Sequence, residues 1–276
     1  MFFSSLITPV ILIVLYGTFL SNVYKDSFQS SLPEFLSVSD KLINGTVAAQ
    51  LAAALLAVSC VTVTFCVNLT MIQDKANGAR KDFNVSPTGK PVIYLGYFFS
   101  TVFNSLIVNG LAFLLCMGYI RKMGWYLNTS DILYLILDVI VLVLFGSVLS
   151  RIVCYPLKTQ GQMSAVGTIV SAGYGFICGA YMPISNFGKG LQKGLSYVPS
   201  TYGTSMLKNH MLRGVFEEMK SKGFPDDVVT GIADSLDCNP VFRGHVVSSA
   251  EMLAFMVGTI VVLGIIYLII TALPEK

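Results

Sequence analysis

Two histidines, six cysteines and a carboxylate within an apolar run are the side chains here that could do chemistry. His210 and His245 both lie in a long polar segment, 184–249, whereas Asp138 sits inside the apolar run 132–154. Intramembrane proteolysis or lipid transfer would need His, Asp, Glu or Ser–His partners clustered within apolar runs. The spacing supplies no such cluster. With no basic residue at equal depth in the sequence, Asp138 reads either as an interhelical hydrogen-bonding group or as a station on a translocation or proton path. Cys60, Cys66, Cys116, Cys154 and Cys178 fall within or at the ends of apolar runs, and Cys238 alone lies in a polar segment. No Cys-x-x-Cys pair and no Cys/His spacing suits zinc, so no metal site is expected. No GxxxxGK[ST] phosphate loop occurs, so any ATPase must be a separate polypeptide and the chain is expected not to be an enzyme.

The elements that must position these residues are set by composition. The chain is 54% hydrophobic and 12% charged, with mean hydropathy +0.71; a soluble domain carries about 25% charged residues. A net charge of +3, scattered along the chain, does not argue for nucleic acid, and no nucleic-acid partner is expected. Apolar runs near the ~20 residues a helix needs to cross a bilayer predict an all-α integral membrane protein in lipid, a single transmembrane domain over 1–276. Six spans are expected: 2–20, 46–72, 92–120, 132–154, 164–182 and 252–273. Pro9 should kink the first, which is read as a retained helix rather than a signal peptide.

Within the second span, Gln50, Ala53, Ala57, Cys60, Thr64 and Asn68 fall in an arc of ~80° that no large apolar residue shares. Such a face points at protein or water. It is either a close helix contact through small residues or a substrate-lining surface, joined in that case by Asn104 and Asn109 of the third span and by Asp138. In the fifth span Gly167, Ser171, Gly175 and Gly179 recur every four residues, a ridge that lets another helix approach closely. Residues 184–202, broken by Gly188, Gly190, Gly194 and Pro199, are expected to dip into the membrane from outside and return. Ser205–Ser221 gathers Met206, Leu207, Met211, Leu212, Val215, Phe216 and Met219 on one face, predicting an amphipathic helix at the membrane surface or capping the bundle.

Between spans two and three, 73–91 (QDKANGARKDFNVSPTGKP) is the most basic short polar segment. Six spans put both termini on one side. The loops on that side carry Lys75, Arg80, Lys81, Lys90, Lys158 and Lys276, against Lys25, Lys41, Arg121 and Lys122 on the other. The positive-inside rule therefore sets 73–91 and both termini in the cytoplasm.

The order of elements, with two local motifs, resembles the membrane (permease) subunit of a type-2 ATP-binding-cassette exporter. The first motif is a charged elbow closing in Ser-Pro and Gly: Gln73-Asp74-Lys75-Ala76-Asn77-Gly78, then Arg80, Ser86-Pro87 and Gly96. The second is a Gly-rich helix ending in aromatic-X-Pro, then Pro and an aromatic: Gly173, Gly175, Gly179, Tyr181-Met182-Pro183, then Pro199 and Tyr202. The resemblance implies a permease in a bacterial plasma membrane, paired with a second permease as homodimer or heterodimer. A cytoplasmic ABC ATPase subunit binding ATP and Mg would drive it, gripping the elbow through Asp74, Lys75, Gly78, Arg80 and Lys81. Tyr181, Pro183, Pro199 and Tyr202 would frame the outer re-entrant stretch. The small, polar face of span two suits an amphipathic or hydrophobic cargo such as a drug, lipid or peptide. The alternative is an ATP-independent scaffold or channel.

Overall fold

The computed structural model describes residues 39–79, 89–242 and 244–272. The expected first span and the elbow residues Arg80 and Lys81 lie outside them. The described chain holds eight α-helices: α1 (Asp40–Ala76), α2 (Lys90–Met123), α3 (Thr129–Cys154), α4 (Gln160–Ile177), α5 (Lys189–Leu195), α6 (Pro199–Ser221), α7 (Asp226–Ser235) and α8 (Ser249–Ala272). A 3₁₀ turn, Ile184–Asn186, precedes α5. A short antiparallel hairpin pairs Val241 with Val246 ahead of α8.

α1 is the axis. Its 37 residues reach ~55 Å at 1.5 Å per residue, and from Val47 to Phe65 every residue is buried. A helix apolar on all faces belongs inside a bundle. Here Ala48, Ala49, Ala52, Ala53, Ala54 and Ala57 keep it thin enough for α2, α3, α4 and α6 to pack around it. It stops at Asn77, and Gly78 follows at φ +80°, the left-handed geometry that ends helices most cheaply at glycine.

The outer helices invert the soluble pattern. Phe99, Phe103 and Leu114 of α2, and Val261, Ile265 and Ile269 of α8, are exposed, Phe103 to 67%. Lipid is the solvent in which that surface is stable. Four described stretches are long and apolar enough to cross a membrane: Asp40–Ala76, Val92–Met123, Thr129–Cys154 and Ser249–Thr271.

Two elements depart from the sequence expectation. α4 ends at Ile177, five residues before the Met182-Pro183 stop, and is not among those four stretches. α6 does not lie on a surface: it inserts between α1, α3 and α8. Its expected apolar face does turn inward, and Met206, Leu207, Met211, Leu212, Val215 and Met219 are buried. Ser200, Thr201, Thr204, Ser205 and Lys208 are buried as well. The hydroxyls that dilute the hydropathy of α6 therefore face protein. Gly203 touches Leu142, midway along α3, while Gly214 abuts the Tyr126 carbonyl in the α2–α3 loop. α6 thus runs from mid-bundle to the end opposite 73–91.

Candidate coupling site and interior polar path

At the elbow end, α1, α2, α3 and α8 are clasped by an aromatic and cationic cluster. Arg151, 1% exposed near the end of α3, donates to the Tyr97 carbonyl at 2.5 Å, to Thr101 Oγ1, and to Met71 Sδ at 2.9 Å. Its guanidinium carbon is 5.9 Å from the Tyr97 ring centroid. The same tyrosine donates its hydroxyl to Asp74 Oδ2 at 2.7 Å. One residue of α2 therefore joins the last turns of α1 to a buried cation on α3. Lys75 lies 6.0 Å from the Tyr155 ring centroid, Tyr94 packs on Tyr155 and edge-on to Tyr267, and the Tyr155 hydroxyl donates to Ile270 O at 3.2 Å. The helices entering and leaving 73–91 are thus tied to the bundle.

Deeper in, polar side chains of α1 meet its neighbours. Asn68 Nδ2 donates to Ser150 O at 3.0 Å, and the Ser59 hydroxyl donates to Asn109 Oδ1 at 2.8 Å. Thr64 lies against Gly146, where a Cβ would come within 2.7 Å of its hydroxyl. Gln50 is buried, and Cys60 Sγ sits 4.0 Å from Val139 O. The small face of α1 is set against α3. Asn104 is half-buried and donates only within α2, to Ser100.

Asp138 does not stand alone. His210 Nδ1 of α6 lies 2.6 Å from its Oδ2, with Asp138 1% and His210 14% exposed. Tyr134, one turn before Asp138, stacks on the imidazole at 5.0 Å between centroids. Toward the far end the same interface carries Arg213 at 3.6 Å from Asp131 and Asn128 Nδ2 donating to Glu217 at 3.4 Å. These three rungs fix the register of α6 on α3.

α6 also caps the short helix α4. Lys208, 2% exposed, donates to Gly179 O at 2.8 Å and lies 3.7 Å from Asp237 Oδ2. A cation there complements the negative end of α4. Gly179 turns the chain at φ +72°, and Asp237 in turn accepts from Ile184 N at 2.5 Å. Of the expected ridge, Gly175 is covered by the Tyr181 ring and the Ser171 carbonyl accepts from the Tyr181 hydroxyl at 3.4 Å, whereas a Cβ at Gly167 would meet none of the described residues. Pro199 opens α6, and the Tyr202 hydroxyl donates to Ser196 O at 2.6 Å.

Residues 30–273 match the family model described as ABC-2 family transporter protein. The chain belongs to this family. Comparison with curated proteins and with solved structures gives no match. The ABC-2 protein is a membrane-embedded component of an ABC transporter, a type that works with a partner ATPase. Of the elbow residues, the structure describes Asp74, Lys75 and Gly78, and brings the first two into the aromatic cluster. Sequence reasoning missed Tyr94, Tyr97, Tyr155 and the burial of Arg151. The i, i+3 spacing of Tyr94 and Tyr97, facing a basic helix end, was the available signal. Sequence reasoning also read His210 only as part of a long polar segment and gave Asp138 no partner, because order along the chain does not reveal what a polar helix face meets.

Proposed function

We propose that this ABC-2 protein is the permease of an ATP-driven exporter in the plasma membrane, both termini cytoplasmic, paired with a second permease. A cytoplasmic ATPase grips 73–91, and closure of its nucleotide-bound pair pushes that segment. The observation that carries the reading is the Asp74–Tyr97–Arg151 linkage, which joins the helices flanking 73–91 to α3 at a buried cation. Motion entering there reaches the α3–α6 interface along a rigid helix, and the path opens between the permeases. An amphipathic or hydrophobic cargo such as a drug, lipid or peptide suits the exposed apolar faces of α2, from which it could enter out of the lipid.

The test is reconstitution. Mild-detergent purification should bring down an ATPase, and proteoliposomes holding both should move cargo only with ATP and Mg. Reversing charge at Arg80 and Lys81 and deleting 76–82 should abolish both association and transport. Association and transport that survive those changes refute the docking assignment. Labelling of intact cells at positions 75–90 from outside refutes the orientation.

A further inference from the structure

Arg151 is a buried cation without a buried anion. It is 1% exposed, yet no carboxylate among the described residues forms an ion pair with it. Its acceptors are all neutral: the Tyr97 carbonyl, Thr101 Oγ1 and Met71 Sδ. Its Nε is buried too and has no hydrogen-bond partner among the described residues. A buried charge is costly unless it is paired and its donors are satisfied. The guanidinium is therefore under-compensated where it stands.

A carboxylate lies one aromatic ring away. Asp74, half-buried in the last turn of α1, accepts from the Tyr97 hydroxyl at 2.7 Å. The ring of that tyrosine has its centroid 5.9 Å from the guanidinium carbon. Tyr97 thus holds both charges and keeps them apart: its carbonyl takes the cation and its hydroxyl takes the anion. Lys75, the next residue along α1, lies instead over the Tyr155 ring. A direct Asp74–Arg151 contact would neutralise the buried charge and could satisfy Nε, because a carboxylate accepts two parallel N–H bonds from one guanidinium. Reaching it requires the end of α1 to close on α3. α1 ends at Ala76, so a displacement of 73–91 moves Asp74 first.

We propose that this clasp is a two-position latch. Asp74 rests on the Tyr97 hydroxyl in this structure and transfers to Arg151 when α1 closes on α3; Tyr97 holds the latch open. The inference rests on the reading of 73–91 as the segment a partner ATPase moves, but the latch itself belongs to this chain. Its test is carboxyl footprinting with a carbodiimide and glycinamide on the full-length protein in nanodiscs, read at Asp74 by peptide mass spectrometry. Tyr97→Phe keeps the ring and the carbonyl and removes only the hydroxyl. Asp74 should then fall onto Arg151 and label severalfold more slowly, while the exposed Asp226 is unchanged. Adding Arg151→Met should restore the labelling, with the buried Asp131 still protected as a sign that the bundle is intact. A clasp with a single position predicts the opposite, because a freed carboxylate turns to water and labels faster. Unchanged or faster labelling in Tyr97→Phe, or protection that survives the loss of Arg151, overturns the proposal. In the complex, trapping with ADP and vanadate should protect Asp74 in the unmutated chain, and a complex that hydrolyses ATP without that protection overturns it as well. If no ATPase associates, the docking reading fails instead, and the chain on its own still decides the latch.

Discussion

The Asp138–His210 rung allows a decisive measurement, because two physical pictures of it predict different energies. If it behaves as an ordinary interhelical hydrogen bond in a membrane protein, its coupling should be near the average of ~0.6 kcal/mol. The geometry argues for more. The contact is 2.6 Å long and Asp138 is 1% exposed, and its second oxygen, Oδ1, has no partner among the described residues. Removing the imidazole would strand a carboxyl with neither oxygen satisfied. Breaking a buried pair in that way costs about 3–5 kcal/mol, whereas replacing both members by apolar residues of similar size is often near neutral. His210→Leu and Asp138→Leu are therefore each expected to lose about 3–5 kcal/mol, and the double variant to recover most of it. Reversible unfolding in mixed micelles, read by steric trapping, gives the four corners of the cycle. A coupling energy under about 1 kcal/mol would refute the ion-pair reading and reduce this rung to a common hydrogen bond.

Other expectations follow from single contacts. In Gly214→Ala the new methyl would overlap the Tyr126 carbonyl, and backbone cannot rotate away; a loss of at least about 1–3 kcal/mol is expected. Gly167→Ala, with open space at its Cβ, should be neutral or slightly stabilising for the isolated chain, and thermal unfolding of the pair checks both. Arg151→Met keeps bulk but removes every donor to Tyr97 and Thr101, so stability should fall by about 1.5–3 kcal/mol. In the reconstituted complex, ATP hydrolysis should then persist while transport falls. Burial pushes the Cys238 thiol up to about 12. At pH 8 its thiolate fraction, and so its maleimide labelling, should be about a thousandfold below that of the unfolded chain. Labelling resolved by peptide mass spectrometry tests this, and equal rates would show that the loop carrying it is open.

The apolar axis of the fold was legible in the sequence, and its polar interfaces were not. Runs 46–72, 92–120 and 132–154 lie inside α1, α2 and α3 because length and hydropathy determine which stretches can occupy lipid. The small face of α1 was visible as a helical arc, although its partner, α3, was not. The apolar stripe of α6 was read correctly, but Thr204, Ser205 and Lys208 lower its hydropathy as solvent-facing residues would. Only the fold reveals that they are buried against protein instead. Asp138 and His210 are separated by 72 residues, and no periodicity links them.

The burial of α1 has a consequence for biosynthesis. It leaves the ribosome long before α6, the helix that covers one of its flanks, has been translated. Until then the flank of α1 that α6 covers must face hydrocarbon or be sheltered by the insertion machinery. Chains cut short before position 199 should be recognised as orphans and degraded, however well their earlier helices cross the bilayer.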